Sequence, residues 1–407
     1  MTFSQIIASV YTVSVVPVAV STLVMIAMAF VPRRRTNVPP SDTAPFVSVV
    51  IPVFDDPVAL RCIEACLAFR YPADHFEIVV LDDSTDAVTR ARMSAVASER
   101  VTVRHRATRE GYKPGALAAA MPTLKGELVA IFDADFVPDP DVLSRLVAPF
   151  ADPRIAIVQG RQGFIAEEQS LVARFAACLL SIHHHVMIEA TSRFGVVFFC
   201  GTGGVLRRSA IDDAGGWNTK SITEDADLSV RLLARGWKAA YLPVEVRGEV
   251  PVTLRAFLRQ QMRWCFGGVR VFFDHVSLVV GPSELSWAQR LLVTYYTLGN
   301  VVAIAVASMT LAGLVSWIGV ALGMAPGLDG RAGILCTVGF VLVAALALHR
   351  RGRLRDVAWV VVGACTVALP LAFVNAMASL RAIATADKPL YANTSWICTP
   401  KVGNRET

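Results

Sequence analysis

Residues 6–31 contain no charged side chain. As a helix this run would be about 39 Å long, more than the roughly 30 Å hydrocarbon core of a bilayer. The pattern returns after Trp287, where Leu291–Gly323, Ile334–Leu348 and Val357–Leu380 are apolar runs, the last interrupted by Pro370. A chain with apolar spans at both ends and a polar middle must fold as a water-exposed unit set between membrane segments. With 54% hydrophobic and 18% charged residues, it is too apolar for a soluble protein and too charged for a helical bundle throughout. Its 407 residues also exceed what one core supports, so at least two structural units are expected.

The net charge of +6 is concentrated beside apolar runs, in Arg33-Arg34-Arg35 and in the stretch from His349 to Arg355. This placement predicts cytosolic anchors under the positive-inside rule and excludes a nucleic-acid face. No basic residue precedes the first run, so it reads as a membrane anchor and not as a cleaved signal, with the middle unit in the cytosol. The eight cysteines are scattered and predict reduced thiols without a structural zinc.

From about Pro45 to Arg270, short β-branched runs alternate with helical patterns, which predicts a mostly parallel sheet with helices on both faces. Strands are expected at 46–52, 76–81, 101–103, 128–131 and 155–158. Ligands of such sheets bind at the carboxyl ends of the strands. Aspartates follow three of those ends: Asp55 and Asp56, Asp82 and Asp83, then Asp133 and Asp135. In an extended segment, side chains two apart point the same way, so Asp133 and Asp135 are expected to hold Mg2+ or Mn2+ against a diphosphate.

Four further stretches carry chemistry. Thr223-Glu224-Asp225 opens an amphipathic helix, where acidic residues stabilise a first turn. One of these carboxylates also suits a general base for a weakly nucleophilic hydroxyl, Asp225 first and Glu224 in reserve. Gln260-Gln261-Met262-Arg263-Trp264 reads either as a helix lying on the membrane or as a donor set, with Arg263 for a diphosphate and Trp264 for a sugar ring. Phe198 to Gly204 reads as a buried strand entering a glycine-rich turn that lets a backbone approach a ligand. Lys113 brings a cation to the same side. His183-His184-His185, with Glu189 one turn beyond His185, offers ligating types, but consecutive histidines point to different helix faces and no metal site is expected there.

Leu81-Asp82-Asp83-Ser84, Asp133-Ala134-Asp135, Thr223-Glu224-Asp225 and the glutamine-arginine-tryptophan set follow one another as in the family 2 membrane glycosyltransferases. The chain resembles that family, which includes cellulose synthase, the cellulose-synthase-like mannan synthases, chitin synthase and hyaluronan synthase. Phe199-Cys200-Gly201-Thr202 resembles its acceptor motif, and Trp396 to Lys401 its gating loop. The resemblance implies an α/β fold with a cytosolic GT-A (Rossmann-like) domain inserted between transmembrane helices. It implies donor contacts from Asp55, Asp83, Lys113, Asp133, Gln260 and Arg263, with Asp83 on the uridine and the metal at Asp133 and Asp135. Acceptor contacts are implied for Phe199, Cys200, Gly201, Thr202 and Trp264, a gating role for Trp396, Thr399 and Lys401, and the catalytic base at Asp225. Two positions depart from the pattern: Phe136 stands where cellulose synthase has histidine, and Asp55-Asp56 replaces Asn-Glu.

The expected organisation is an anchor at 1–36, a catalytic domain at 37–270, an interfacial segment at 271–290, a membrane bundle at 291–385 and a tail at 386–407. Counting spans puts that tail outside, whereas the gating-loop motif requires it inside, and a cytosolic tail is the expectation adopted. The expected activity is inverting transfer of a hexose, with UDP-glucose the favoured donor, to a β-linked polysaccharide at the inner (plasma) membrane. Single transfer to a lipid acceptor and an inactive scaffold or export subunit are the alternatives. A homo-oligomer or an export partner is expected to complete any conduit.

Overall fold

A computed structural model describes residues 2–32, 44–323 and 327–387. Arg33 to Arg35 and the gating-loop positions Trp396, Thr399 and Lys401 lie outside the described residues. The first four expected strands form where the apolar runs place them, as β1 (Val47–Val53), β2 (Phe76–Asp82), β3 (Val101–His105) and β4 (Leu128–Ile131). They are parallel, in the order β3-β2-β1-β4. Alternate residues of β1 enter different cores: Val49 and Ile51 pack with Ile63 and Leu143, while Val50 packs with Leu117 and Leu228. Helices thus cover both faces, which is why these strands read as continuous apolar runs.

Beyond β4 the sheet continues through β7 (Gly204–Arg207), β6 (Ile155–Ile165), β8 (Lys238–Glu249) and the short β5 (Val137–Pro138). The expected parallel pattern weakens here, because β7 runs antiparallel to both β4 and β6. The expected strand through Phe198 is displaced: residues 196–203 are irregular and the strand begins only at Gly204. This reversal matters for function. Ile131 pairs with Gly204, so the residues leading into β7 arrive at the edge where the residues after β4 depart.

Phe3–Ala29, Trp287–Ala321 and Arg331–Arg350 are long and apolar enough to cross a membrane, and 28%, 17% and 33% of their most apolar stretches is covered by protein. Val13, Leu23, Trp317 and Leu335 are each more than 60% exposed on them, as lipid-facing side chains would be. Leu171–Ser192 has comparable length and apolar character but is 61% covered. Its Cys178, Ile182 and Val186 share a core with Met28, Val343 and Ala347, so this segment of the expected catalytic domain instead bridges to the apolar helices.

The last apolar run is two helices, Val357–Thr366 and Ala368–Ala384, bent by 56°. The bend falls at Val367 and not at Pro370, which occupies the first turn of the second helix, where a missing N–H is tolerated. Both ends of the pair are tied to the polar unit. Near its start Asp356 pairs with Arg174 at 3.4 Å, and beyond its end Arg270 donates to the Thr385 carbonyl.

The basic loop expected to be a cytosolic anchor is engaged by acids. Arg351 donates to both oxygens of Glu167 at 3.0 Å, and Arg353 reaches Glu167, Glu168 and Asp356. Arg351 and Glu167 are each 12% exposed, so removing one partner strands a poorly solvated charge. Arg351→Met should cost on the order of 3 kcal/mol and lower Tm in detergent, whereas Arg351→Met combined with Glu167→Leu should recover most of the loss.

Candidate active site

One cleft at the carboxyl ends of β1, β2 and β4 is lined by Asp83, Lys113, Asp133, Asp135 and Asp225, and also by Gln260, Arg263 and Trp264. Cys200, Gly201 and Thr202 complete its wall. These residues are separated by up to 181 positions in the chain and were grouped by motif alone, so their convergence is the main result at the site.

Lys113 is the hub. Its Nζ donates to Asp133 Oδ1 at 2.6 Å and to the Gly201 carbonyl at 2.9 Å, and lies 3.8 Å from Glu224 Oε1. Burial alone would pull its pKa down, but Asp133, Glu224 and Asp225 raise it, so the ammonium stays charged. The same burial pushes the Glu224 carboxyl up to about 7, with Lys113 opposing and Asp225 adding to the rise. Asp225 is raised as well, chiefly by burial and against the Ala226 N–H that donates to its Oδ1 at 2.8 Å. A carboxylate with raised proton affinity is a better base than a solvated one.

The lysine therefore sits with the expected base on one side and the expected metal residues on the other. Asp133 and Asp135 are not in an extended segment as expected. They lie in the turn after β4, closed by the Phe136 N–H to the Asp133 carbonyl at 3.0 Å. Both still line the cleft. Asp133, Asp135, Glu224 and Asp225 outnumber the single ammonium beside them, and hard oxygen donors in excess suit Mg2+ or Mn2+, so the residues present fit such an ion.

The acceptor loop is shaped by residues that the motifs did not reveal. Gln159, fully buried on β6, accepts the Cys200 N–H at 2.8 Å and donates to the Thr202 carbonyl at 3.0 Å. Thr202 Oγ1 accepts the Asp133 N–H at 2.9 Å, joining this loop to the turn that carries Asp133 and Asp135. Ser229 accepts the Phe199 N–H at 2.9 Å and donates to the Asp225 carbonyl at 2.7 Å, which fixes the first turn of the Asp225 helix against the loop. Gln159 and Ser229 look like ordinary strand and helix residues in sequence, and only their partners reveal their role.

Two expectations are corrected. Asp55 does not line the cleft: its carboxylate accepts the Thr85 and Asp86 N–H groups at 2.7 and 2.8 Å and closes the turn after β2, while Asp56 faces the cleft. Phe199 packs into the sheet core beside Trp217 and offers no acceptor surface. Asp83 faces the cleft, with both oxygens held by Arg106 at 2.7 and 2.5 Å. Gln260 is buried with no partner for its Oε1 among the described residues, a polar atom aimed at the cleft wall.

A sequence profile described as Glycosyl transferase family group 2 matches residues 128–380, well over half of the chain. The chain belongs to this family. It is 38% identical over 266 residues to glucomannan 4-beta-mannosyltransferase 1 of Oryza sativa subsp. japonica, covering 62% of this chain and 51% of that protein. To glucomannan 4-beta-mannosyltransferase 2 of Arabidopsis thaliana it is 37% identical over 269 residues, covering 63% and 50%. This glycosyltransferase therefore spans about half the length of the curated relatives it matches. Its fold is that of a mannosyltransferase from Pyrobaculum calidifontis solved in complex with GDP-Man and Mn2+, at a TM-score of 0.63 and 20% identity over 92% of this chain and 99% of that one. The fold is GT-A-like, as the resemblance implied.

Gly201 has φ +78°, and a Cβ there would lie 3.0 Å from Asp225 Oδ2. Gly201→Ala should cost about 1–2 kcal/mol of backbone strain and lower turnover by roughly tenfold or more by displacing Asp225, measured as nucleotide release. Glu224 holds its proton in the folded state from its ordinary 4.5 up to about 7, so its contribution to stability is lost as pH rises through that window. Glu224→Gln should remove that contribution in metal-free protein and leave only the part due to Asp225, so wild type and variant diverge in Tm between about pH 5 and 8.

Proposed function

We propose that this chain is an inverting mannosyltransferase of the membrane, moving mannose from GDP-mannose onto the end of a β-linked polysaccharide. The observation that carries the reaction type is the placement of Asp225 across Gly201 from the Lys113–Asp133 pair, within one cleft. The choice of sugar rests on the curated relatives, which are glucomannan 4-beta-mannosyltransferases, and on a neighbour of the same fold that takes GDP-Man with Mn2+. It replaces the UDP-glucose favoured from the motifs.

In this reading Asp225 accepts the proton of the acceptor hydroxyl. The hydroxyl oxygen bonds to the anomeric carbon as the bond from that carbon to the diphosphate breaks on the opposite face, converting an α-linked donor to a β-linked product. Asp133 and Asp135 would hold Mg2+ or Mn2+, which when bound supplies positive charge to the diphosphate. Arg263 orients the same diphosphate, and Trp264 and the 200–202 loop orient the acceptor. Lys113 screens Asp133 from the base and fixes the loop carbonyl. The exposed apolar helices anchor the enzyme, with the cleft on the cytosolic side where activated sugars are made.

Full-length protein in membranes should release GDP from GDP-mannose faster than UDP from UDP-glucose, and only with Mg2+ or Mn2+ present. Asp225→Asn should reduce incorporation by roughly 10²–10⁴-fold while still retaining nucleotide. Products of polymer size support the proposal, and one-sugar products would reassign the enzyme to a lipid acceptor. Preference for UDP-glucose would overturn the choice of sugar, and undiminished incorporation by Asp225→Asn would overturn the base.

A further inference from the structure

His183-His184-His185 was set aside because consecutive histidines diverge on a regular helix, but the helix here is not regular. Residues His183–Met187 form a π turn inside Leu171–Ser192, a local widening frequent at functional positions. One ring nitrogen of His183, one of His184 and the Sγ of Cys200 all lie within 4.8 Å of one another. The rings of His183 and His184 stand at 85° with centroids 5.2 Å apart, so they approach one point from different directions. We propose that His183, His184 and Cys200 form a zinc site behind the acceptor loop, separate from the carboxylate site in the cleft.

Three observations carry this. His183 Nε2 is 3.9 Å from Cys200 Sγ, while tetrahedral zinc with ordinary bond lengths sets nitrogen and sulfur roughly 3.6 Å apart. For this pair, closing the site requires a shift of a few tenths of an ångström, and the ring nitrogen of His184 lies within 4.8 Å of both other ligand atoms. His184 is fully buried, and neither of its ring nitrogens has a hydrogen-bond partner among the described residues. Burying an imidazole without partners costs about 1–3 kcal/mol, and an ion removes that cost on one nitrogen. Finally, two imidazoles and a thiolate select a borderline-soft ion, whereas the carboxylates of the cleft select a hard one. The Tyr296 hydroxyl, 3.3 Å from His183 Nε2, supplies an oxygen beside the same site for a fourth position.

On binding, Cys200 coordinates as the thiolate and its proton passes to solvent. The resulting centre carries a net +1 and sits one residue from Gly201, which abuts Asp225 Oδ2. The ligands come from two segments, so the ion would clamp the acceptor loop to the helix that bridges to the apolar bundle. That loop is already held from the other side by Gln159.

The test uses the full-length chain with a tag free of histidine. The protein is stripped with chelator, loaded with Zn2+ in excess Mg2+ so that the carboxylates hold magnesium, and desalted. About one zinc per chain is expected by elemental analysis, falling roughly tenfold or more in both His184→Gln and Cys200→Ser. Cobalt loading should give tetrahedral visible bands and a sulfur-to-cobalt absorption that Cys200→Ser lacks. Wild-type protein, folded by circular dichroism, that retains less than about a tenth of an equivalent, or whose cobalt form shows no sulfur band, overturns the proposal whatever the variants do. So does zinc retained in both variants.

Discussion

A single buried ammonium surrounded by carboxylates holds this catalytic unit together. At the 2.6 Å and 3.8 Å separations of Lys113 from Asp133 and Glu224, each attraction is on the order of several kcal/mol in a partly screened site. Those attractions offset a repulsion that would otherwise drive the strand-end turn and the helix opening at Glu224 apart. The compensation is incomplete, since acids outnumber the ammonium, and that surplus gives the cleft its chemistry. Burial, with the neighbouring acids adding to it, raises the proton affinity of Glu224 and Asp225, and the surplus leaves a negatively charged pocket that suits a divalent ion.

Around that charge cluster the backbone is fixed by polar residues with no charge of their own. Gln159 and Ser229 hold the 199–202 loop from two sides, one through β6 and one through the helix that carries Asp225. Glycine at 267 allows the same precision from a third side: a Cβ there would lie 2.4 Å from Thr223 Cγ2, so only glycine lets the cleft helix close on the segment that carries the base. A site assembled from such contacts is sensitive to small shifts, and the shifts available to it are limited by the membrane unit.

The link to that unit is unusually direct. Leu171–Ser192 lies between the sheet and the apolar helices, and the arginines after Arg331–Arg350 clamp Glu167 and Glu168 just before it. The bent final pair begins and ends against the polar unit, and its second helix runs along the cleft helix, with Cys265 Sγ 3.2 Å from Ser379 Oγ.

Much of this was legible in the chain because it depends on local pattern. Continuous β-branched runs give buried parallel strands, acids after such runs fall at a ligand edge, and long uncharged stretches seek lipid. Those rules located β1 to β4, the cleft, the base candidates and the apolar spans. What they could not decide depends on partners far away in sequence. Asp55 and Asp56 are adjacent and alike, yet one closes a turn and the other faces the cleft, because only the first meets the Thr85 and Asp86 amides. Phe199 reads as a ligand contact until Trp217 packs against it. The basic loop looks like a lipid anchor until Glu167 occupies it, and three histidines look divergent until a π turn rotates two of them toward Cys200. Residue types determined which groups were present at the edge of the sheet, and the long-range contacts of the folded chain decided which of them face one another.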